Sequence, residues 1–477
     1  MRRVLSAGQG LKRIPLFGLG LKGKSANATS QHRINLFGEI QVDQDKSRFV
    51  LYGPPGKMLW GNLGETPARG RLAIGTRMFV VHRNKLQELN NGAIATERGT
   101  LNSSKGWCDL CTDGVNILIV DGTNGYTFTL ATNTFAQIVD PNFPAAGTCT
   151  WLSGLFIVDQ ADSDSFFFSP DGINWDPLDF ATAEKQPDGI VRIFENGGEI
   201  FIGGESSSEF WGTTGDFNSP FAPIRGASID YGLAAKRSLV SHDGGMIGLF
   251  LNESQAQIMK FRGYTPVPAS TPELDSVING YAIKSDATGF SYMAGGHPIY
   301  HINFPSAGKS WEYDSLTNLW CERQSGVYGQ RDRGEMACVF LGKTLVFDFE
   351  NGKIYRHDEN VYTDDGEPMK SLVRTRHFFN DYNHSSIGRL FVDFQTGVGT
   401  STGQGSDPRA MLRVSRDGGN SWGTEILAPM GKIGEYLTRS QWGPLGSARD
   451  FVFEISVTDP VKRFIVNGAI EATGGLP

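Results

Sequence analysis

Short apolar runs separated by turn dipeptides recur along most of the chain. Asp-Gly occurs seven times and Asn-Gly six times, and these pairs supply the positive φ angles of tight hairpin turns. The runs between them are rich in Val, Ile, Phe and Tyr, which is typical of antiparallel strands. Seven such strands are predicted before residue 350: Val115–Val120, Leu155–Val158, Glu199–Ile202, Met246–Leu251, Ile299–Ile302, Ala337–Leu341 and Thr344–Phe349. Helical periodicity is scarce and favours a helix only at Asp179–Gln186 and Leu233–Leu239.

Strand groups recur every 40–50 residues or so between positions 71 and 370, which is about the period of a propeller blade. Two local signatures agree with this period. Gly295-Gly296 followed by Tyr313-x6-Trp320 resembles the spacing of a kelch blade. The segment SPDGINW, which begins at Ser169, resembles a shortened Asp-box, the hairpin turn found in several propellers. We therefore expect a β-propeller-like body.

The last hundred residues have a different organisation. A polar, turn-rich segment at Thr363–Pro368 indicates a boundary. A full Asp-box, Ser415-x-Asp417-x-Gly419-x-x-Trp422, and a Gly-rich polar loop at Gly397–Pro408 follow it. The strand candidates are consistent with a small β-sandwich: Leu390–Phe394, Met411–Val414, Phe451–Val457 and Phe464–Val466.

These patterns predict an all-β chain in three parts. Residues 1–70 form a basic N-terminal arm and lead-in segment, 71–370 a β-propeller-like domain, and 371–477 a C-terminal β-sandwich domain. We expect the loop at Gly397–Pro408 to be mobile alone and to contact a partner, with an exposed hairpin tip as the alternative.

Composition excludes several other classes of protein. The chain has 477 residues, of which 60 are Gly, with 39% hydrophobic and 20% charged residues. A disordered chain has more charge and fewer aromatics, and collagen has a three-residue Gly period that is missing here. No apolar run approaches the roughly 20 residues of a membrane-spanning helix, so no membrane-spanning segment is expected.

Charge is divided between a basic start and an acidic body. Net charge is −7, but residues 1–38 carry seven Lys or Arg and no acid. An acidic body does not favour a duplex-binding domain. The arm either contacts phosphate or an acidic partner, or is a solvated tail. Its apolar stretch, Ile14–Leu21, is too short and too rich in glycine to favour a signal peptide.

No motif in the chain indicates a cofactor or metal site. Cys108-x-x-Cys111 lacks a second pair at zinc-finger spacing and fits two reduced thiols of a protein made in a cytosol. Gly53–Lys57 resembles a phosphate loop only superficially, because two prolines remove backbone donors. His297 and His301 lie on a predicted strand, where four residues span roughly 13 Å, so they are expected to be surface or turn histidines that share no metal. We therefore assign no catalytic, cofactor-binding or metal-binding residues and predict a protein that is not an enzyme.

Two alternatives stay open at this point: a glycan- or receptor-binding propeller, and a sialidase-like glycosidase. The latter requires an arginine cluster and a nucleophilic tyrosine at the propeller centre. Candidates for such a cluster are Arg192, Arg225, Arg237 and Arg262, with Tyr231.

Two segments near the start carry a family resemblance. QHRINLFGEI (Gln31–Ile40) followed by FVLYGPPG (Phe49–Gly56) resembles the opening of the packaged-DNA stabilisation proteins of short-tailed bacteriophages, or podoviruses. The residues that match the family's phrases are Arg33, Asn35, Leu36, Phe37 and Glu39, then Leu51 to Gly56.

The C-terminal end carries the same resemblance over about 70 residues. GQGSDPRAMLRVSRDGGNSWG (Gly403–Gly423), GKIGEY (Gly431–Tyr436) and RSQWGPLGSARDFVFEISVTDPV (Arg439–Val461) are similar to the family's C-terminal signature. The middle of the chain shows only a general propeller pattern.

This resemblance implies a structural virion protein of the phage tail, called a tail hub or nozzle, that is made in the cytoplasm of the host bacterium. In that family a homohexamer forms a ring below the portal and its adaptor, extends the DNA channel, retains packaged DNA and carries the tail needle or plug and the tailspikes or fibres. Genomic DNA would pass through the lumen without sequence-specific binding. In a phage tail, the binding alternative is a glycan- or receptor-binding propeller of a tail fibre. Because acidic walls repel phosphate, we expect acidic residues to outnumber basic ones on the lumen.

Overall fold

The chain folds into a ring of antiparallel sheets and an attached two-sheet sandwich. The computed structural model describes residues 12–18, 20–21, 29–43, 46–183, 185–186, 188–379 and 383–474. Across these ranges there is one α-helix and one 3-10 turn, Pro305–Ala307, and neither has the length and apolarity needed to cross a membrane. The predicted all-β class, with a propeller body and a C-terminal β-sandwich, is confirmed.

The N-terminal segment and the first four blades of the ring are built from short strands. The segment contains β1 (Lys12–Pro15), β2 (His32–Ile34), β3 (Phe37–Asp43), β4 (Lys46–Tyr52) and β5 (Gly56–Asn62). Blade 1 contains β6 (Ala68–Ile74), β7 (Arg77–His82), β8 (Lys85–Leu89) and β9 (Ala95–Thr100). Blade 2 contains β10 (Asp109–Thr112), β11 (Asn116–Val120), β12 (Gly125–Thr129) and β13 (Thr134–Gln137). Blade 3 contains β14 (Cys149–Leu152), β15 (Leu155–Asp159), β16 (Ser165–Ser169) and β17 (Phe180–Thr182), and blade 4 contains β18 (Ile190–Asn196), β19 (Glu199–Gly204), β20 (Ser208–Thr213) and β21 (Phe221–Pro223).

Three further blades complete the ring in the described part of the chain. Blade 5 contains β22 (Gly232–Leu233), β23 (Val240–His242), β24 (Gly245–Asn252), β25 (Gln255–Arg262) and β26 (Thr265–Pro268), and is followed by α1 (Pro272–Asn279). Blade 6 contains β27 (Thr288–Ala294), β28 (His297–Phe304), β29 (Lys309–Asp314) and β30 (Leu319–Ser325), and β31 (Gln330–Arg331) extends its edge. Blade 7 contains β32 (Gly334–Phe340), β33 (Lys343–Asp348) and β34 (Lys353–Asp358).

Blade 7 closes the ring with a strand from the other end of the chain. Its inner strand β32 lies against β6 of blade 1. Its outer strand is β5, which pairs antiparallel with β34 from Lys353↔Asn62 to Asp358↔Gly56. Hydrogen bonds between the N-terminal segment and the last blade therefore hold the propeller shut.

The sandwich consists of two sheets that also use N-terminal strands. Its strands are β37 (Ser371–Arg374), β38 (Phe378–Phe379), β39 (Ser385–Phe394), β40 (Arg409–Ser415), β41 (Ile426–Pro429), β42 (Ser440–Trp442), β43 (Gly446–Ala448), β44 (Asp450–Val457) and β45 (Phe464–Gly474), after a small hairpin of β35 (Thr363–Asp364) and β36 (Glu367–Pro368). One sheet has the order β3-β4-β45-β39-β42, with β1 on β45. The other has the order β37-β44-β40-β41 and continues through β2 to β30 of blade 6. One sheet therefore runs from the propeller into the sandwich.

The N-terminal segment contributes side chains to the sandwich core. Leu16, Leu36 and Leu51 are fully buried there, against Leu390 and Phe453. Leu16 and Leu51 have no exposed surface, so burying these side chains contributes about 1.5–3 kcal/mol each.

The strand predictions are confirmed, but the two helix predictions are wrong. Part of Asp179–Gln186 is strand β17, and Leu233–Leu239 leads from β22 towards the inner edge of blade 5. The α-helix lies instead at Pro272–Asn279, where Thr271 caps the N-terminus by accepting a hydrogen bond from the amide of Leu274. A capping threonine followed by proline and early acidic residues is the sequence signal that could have located it.

His242 couples blades 5 and 6 and gives the fold a pH dependence. Its ring nitrogens lie 2.8 Å from Ser291 Oγ and 2.6 Å from Ser315 Oγ. Burial lowers the pKa of His242 to about 4, against about 6.5 in an unfolded chain. The unfolded state therefore binds the proton first as pH falls, and the His242 contribution is lost progressively between about pH 6.5 and pH 4.

We expect this loss to reach about 3 kcal/mol at pH 4. The measurement is the free energy of unfolding in urea, from pH 7.5 to 4, for wild type and for His242→Gln. The total fall in the free energy of unfolding over this pH range should be smaller by about 3 kcal/mol in the variant. Parallel pH profiles for the two proteins would contradict the assignment.

Candidate functional site

The residues that carry the family resemblance at the N-terminus lie where blade 6 meets the sandwich. β2 pairs antiparallel with β37 and parallel with β30, at Ile34↔Glu322. Asn35 follows β2 with a φ of 52°, in the left-handed region that asparagine tolerates better than most residues. The backbone bends here, so that the next strand, β3, enters the opposite sheet of the sandwich.

Asn35 is fully buried and makes four side-chain hydrogen bonds. Its Nδ2 donates to the carbonyls of Gln324 at 2.8 Å and Lys370 at 2.7 Å. Its Oδ1 accepts from Arg323 Nη1 at 3.0 Å and from the Gln324 amide at 3.1 Å. One side chain thus connects blade 6, the segment before β37 and a buried arginine.

Arg33 connects the lead-in segment to blade 6, and no carboxylate of the described residues pairs with it. Its guanidinium donates to the carbonyls of Gly18 and Gly20, both at 3.2 Å, and of Trp320 at 3.1 Å. Burial lowers the pKa of Arg33. In the described structure, Arg33 therefore holds the backbone of the lead-in segment against that of blade 6.

Lys57 is the last residue of Gly53–Lys57, the segment that superficially resembles a phosphate loop, and it belongs to a buried ionic network. It lies in β5, is 1% exposed, and its Nζ lies 2.5 Å from Asp332 Oδ2 and 3.3 Å from Asp364 Oδ1. Arg323 Nε lies 3.3 Å from the same Asp332 oxygen. The lysine therefore connects blade 7, the β30–β32 connection and the boundary hairpin.

The prediction that His297 and His301 are surface or turn histidines is wrong. Both are buried on β28, although their placement on a strand is confirmed. His297 Nδ1 lies 2.8 Å from Asp314 Oδ2, and His301 Nδ1 lies 3.0 Å from Glu312 Oε1. The alternation of β28 could not reveal this burial, because the face bearing both histidines is covered by residues from other parts of the fold. No set of three potential ligands that could hold a metal occurs among the described residues.

Both Asp-boxes form compact turns. Asp171 Oδ1 accepts from the amides of Ile173 at 2.8 Å and Asn174 at 2.9 Å, and Trp175 is buried against Phe143 with 5.2 Å between ring centroids. In blade 6 the kelch-like pair, Tyr313 and Trp320, packs with 5.1 Å between centroids.

The second Asp-box has the same carboxylate geometry but a different tryptophan. Asp417 Oδ1 accepts from the amides of Asn420 at 3.1 Å and Ser421 at 2.9 Å. Trp422 is half-buried, with Arg374 Cζ 4.7 Å and Arg413 Cζ 5.6 Å from its ring. These turns stabilise hairpins, as the sequence pattern suggests.

The five cysteines are free thiols. Cys108 is buried, and burial raises its pKa to about 12, so this thiol stays protonated at neutral pH. Cys111 is half-buried on β10. A buried, protonated thiol is a poor nucleophile and a poor metal ligand.

The arginines proposed for a glycosidase separate into two groups. Arg192 and Arg237 line a cavity on the propeller axis together with Arg71, which the sequence analysis missed. Arg225 and Arg262 are exposed, and Tyr231 is not among the residues lining this cavity. Nothing in the local sequence around Arg71 distinguishes it from other strand arginines.

One end of the sandwich presents an exposed apolar surface, which we call the tip surface. It is formed by Ile433, Tyr436 and Leu437, with exposed fractions of 57%, 70% and 99%. The polar loop Gly397–Pro408 lies beside it: the Tyr436 carbonyl accepts a hydrogen bond from Thr396 Oγ1 at 2.8 Å. Val398 packs against the sandwich core. Adjacent exposed apolar side chains of this size are typical of protein-binding surfaces.

Comparison with known proteins gives two family matches that together span most of the chain. The family model described as "Bacteriophage P22 Gp10, beta-propeller" matches residues 14–362, and the one described as "Bacteriophage P22 Gp10, beta-sandwich" matches residues 371–473. No curated protein matches the chain.

Solved structures with a similar arrangement are distant in sequence. YCF48 bound to a D1 peptide is 14% identical with a TM-score of 0.42, and the match covers 64% of this chain and 96% of that one. YCF48 from Cyanidioschyzon merolae is 10% identical with a TM-score of 0.42, covering 63% and 98% of the two chains. The N-terminal domain of Nup159 is 9% identical with a TM-score of 0.40, covering 68% and 98%. These values are too low to carry information on function.

Proposed function

Since the chain belongs to the bacteriophage P22 Gp10 family and is therefore a structural protein of a phage tail, we propose that six copies form a nozzle ring below the portal and its adaptor. The observation that carries this proposal is the family match in both the propeller and the sandwich. The ring would extend the DNA channel, retain the packaged genome and anchor the tail needle and the spikes or fibres.

The continuous connection between propeller and sandwich supports the proposal that the chain forms part of the wall of a DNA channel. An ejection channel is loaded along its axis by the packaged genome. A single sheet crosses from blade 6 into the sandwich, and the buried Asn35 and Lys57 belong to networks that both include Arg323 of β30. This arrangement resists hinge motion better than a flexible linker would.

Charge supports passive passage of DNA. The chain carries 51 acidic against 44 basic residues. Acidic residues facing the lumen would repel phosphate, whereas a basic wall would hold the genome through counterion release. We therefore place an excess of acidic side chains on the lumen of the proposed ring.

The tip surface is the proposed contact with a neighbouring subunit or with the adaptor. Ile433 and Tyr436 lie in the GKIGEY phrase, and Leu437 directly follows it. The loop at Gly397–Pro408, predicted to contact a partner, lies next to them. The basic arm is a second candidate contact, and most of it lies outside the described residues.

Leu437→Lys is expected to reduce incorporation into tails at least about tenfold without destabilising the fold, because a lysine desolvated at an interface costs binding free energy. The measurement is the number of copies that co-sediment with particles bearing portal and adaptor, alongside the free energy of unfolding. That free energy should change by less than about 0.5 kcal/mol, since Leu437 is exposed.

Val139→Lys is the matched control, because Val139 is 87% exposed and lies in the propeller, between blades 2 and 3. It should bind particles like wild type. Wild-type incorporation of the Leu437→Lys variant would remove the tip surface from the proposed interface.

A further inference from the structure

A cavity of about 260 Å³ lies on the axis of the propeller. Six of the seven blades contribute residues to its wall. Those that bear on its chemistry are Arg71 of blade 1, Asp109 of blade 2, Arg192 of blade 4, Arg237 of blade 5, Thr288 of blade 6 and Glu335 of blade 7. Its charged groups are therefore brought together only when the ring closes.

Of the three arginines, one has a carboxylate partner among the described residues and two do not. Arg237 Nη1 lies 3.3 Å from Asp109 Oδ1. Glu335 is paired elsewhere, with its Oε2 at 2.8 Å from Arg331 Nη2. Among the described residues, no carboxylate lies within ion-pair distance of Arg71 or Arg192. Within the described part of the chain, these two guanidiniums therefore form no ion pair, and Asp109 acts on them only from a greater distance.

Backbone contacts fix these two guanidiniums in place. Arg192 Nη1 donates to the carbonyls of Lys236 at 2.9 Å and Leu239 at 3.0 Å, and Arg71 Nε donates to the carbonyl of Ala337 at 2.6 Å. Arg192 Nε is buried and has no hydrogen-bond acceptor in the described part of the chain. An arginine held this way has little conformational freedom left to lose when it binds a ligand.

The arginines also destabilise one another's charge. Burial lowers the pKa of Arg192 to about 10, and Arg237 and Arg71 act in the same direction while Asp109 opposes them. Burial lowers the pKa of Arg71 as well, again with a contribution from Arg237. A negative charge placed among the three would relieve this repulsion.

We propose that the cavity on the propeller axis binds one small oxyanion, a carboxylate or phosphate group, through Arg71, Arg192 and Arg237. Guanidinium forks match the oxygens of both groups and form strong charge-assisted hydrogen bonds with them. The hydroxyl of Thr288 lies in the same wall but donates its hydrogen to Glu335 Oε1 at 3.1 Å, so the arginines are the proposed donors. No tyrosine lines the cavity within the described residues, so the arrangement supports binding rather than glycoside cleavage through a tyrosine nucleophile.

A second cavity offers a route to this site. It has a volume of about 560 Å³ and shares Trp107, Arg237, Thr288 and Glu335 with the first. Lys236 lines it as well, with Nζ 3.5 Å from Asp159. A larger molecule could therefore place its terminal carboxylate or phosphate on the axis while its body occupies the outer cavity.

The test is calorimetric titration of the full chain with sodium phosphate and, separately, sodium acetate, at constant ionic strength. Saturable binding of one anion per chain is expected for at least one probe, and the tighter probe identifies the preferred group. Arg192→Gln should weaken that binding at least about tenfold. Arg262→Gln, which removes an exposed arginine from the same propeller, should leave it unchanged.

Arg192→Lys distinguishes the contribution of the positive charge from that of the guanidinium geometry. It also replaces Arg192→Gln as the test variant if the glutamine variant folds poorly. It keeps the positive charge but loses the fork, so it should also bind more weakly than wild type. Absence of saturable binding for both probes in the wild type would overturn the proposal. Equal weakening by Arg262→Gln would do so too, because it would show a general charge effect.

Discussion

Replacing Lys57 by methionine is expected to lower the free energy of unfolding by about 3–5 kcal/mol. The lysine is buried between Asp332 and Asp364, and its removal leaves both carboxylates to Arg323, which lies 3.3 Å from Asp332 and 3.9 Å from Asp364. Burial disfavours the charged form of Asp332, but Lys57 and Arg323 outweigh it and hold the pKa of that carboxyl well below its usual range. An unpaired buried carboxylate carries a large desolvation cost.

Urea denaturation of wild type and Lys57→Met measures this effect, and its pH dependence identifies the cause. In the wild type, Asp332 contributes stability above about pH 4 that is lost as pH falls below the pKa of the unfolded chain. In the variant, the carboxyl pKa rises, so the difference between the two proteins should shrink below about pH 4.

Lys85→Met is the matched control for Lys57. Lys85 pairs with Glu97 at 2.7 Å, but the two side chains are 35% and 53% exposed. Such a surface pair contributes about 0–1 kcal/mol. The ionic account of this network would be contradicted if the two variants lost similar amounts of unfolding free energy. It would also be contradicted if the destabilisation by Lys57→Met did not change with pH.

Replacing Asn35 by glycine is expected to cost about 3 kcal/mol and to uncouple the sandwich from the propeller. Glycine adopts the positive φ without strain. The expected fall in the free energy of unfolding therefore reports the four side-chain hydrogen bonds rather than a change in backbone strain. The carbonyls of Gln324 and Lys370, the Gln324 amide and the Arg323 guanidinium would each lose one hydrogen bond. Scanning calorimetry should then resolve two unfolding transitions where wild type shows one.

Asn318→Gly provides the comparison for Asn35. Asn318 also has a positive φ, of 56°, but it is exposed and accepts one hydrogen bond, from Tyr313 OH at 2.7 Å. We expect it to change stability by less than about 1 kcal/mol and to leave a single transition. Two transitions in wild type itself would show that the junction does not couple the two parts.

Local chemistry in the sequence was sufficient to predict the strands and hairpin turns. Asp171 and Asp417 bond amides two to four residues away, so their turns depend on few distant contacts. The runs that begin at Leu155 and Met246 are continuous apolar stretches that follow turn residues, and both form strands. The family resemblance identified Arg33 and Asn35 as matching residues, but the sequence did not predict their hydrogen-bond partners, which are distant in the chain.

The remaining features depend on contacts between distant parts of the chain. Lys57 meets Asp332 and Asp364 only because β5 completes blade 7. Arg71 and Arg192 come from blades 1 and 4 and approach each other only around the closed ring. The residue spacing within a single strand does not predict contacts between distant parts of the chain. For the same reason, His297 was wrongly predicted to be a surface or turn residue.

Cryo-electron microscopy of particles bearing portal and adaptor, incubated with this protein, tests the proposed nozzle most directly. The account predicts six copies around the tail axis, with the tip surface of each against a neighbouring subunit or the adaptor and mainly acidic side chains lining the channel. A single attached copy, another copy number, or a ring in which Ile433, Tyr436 and Leu437 all face solvent would contradict it.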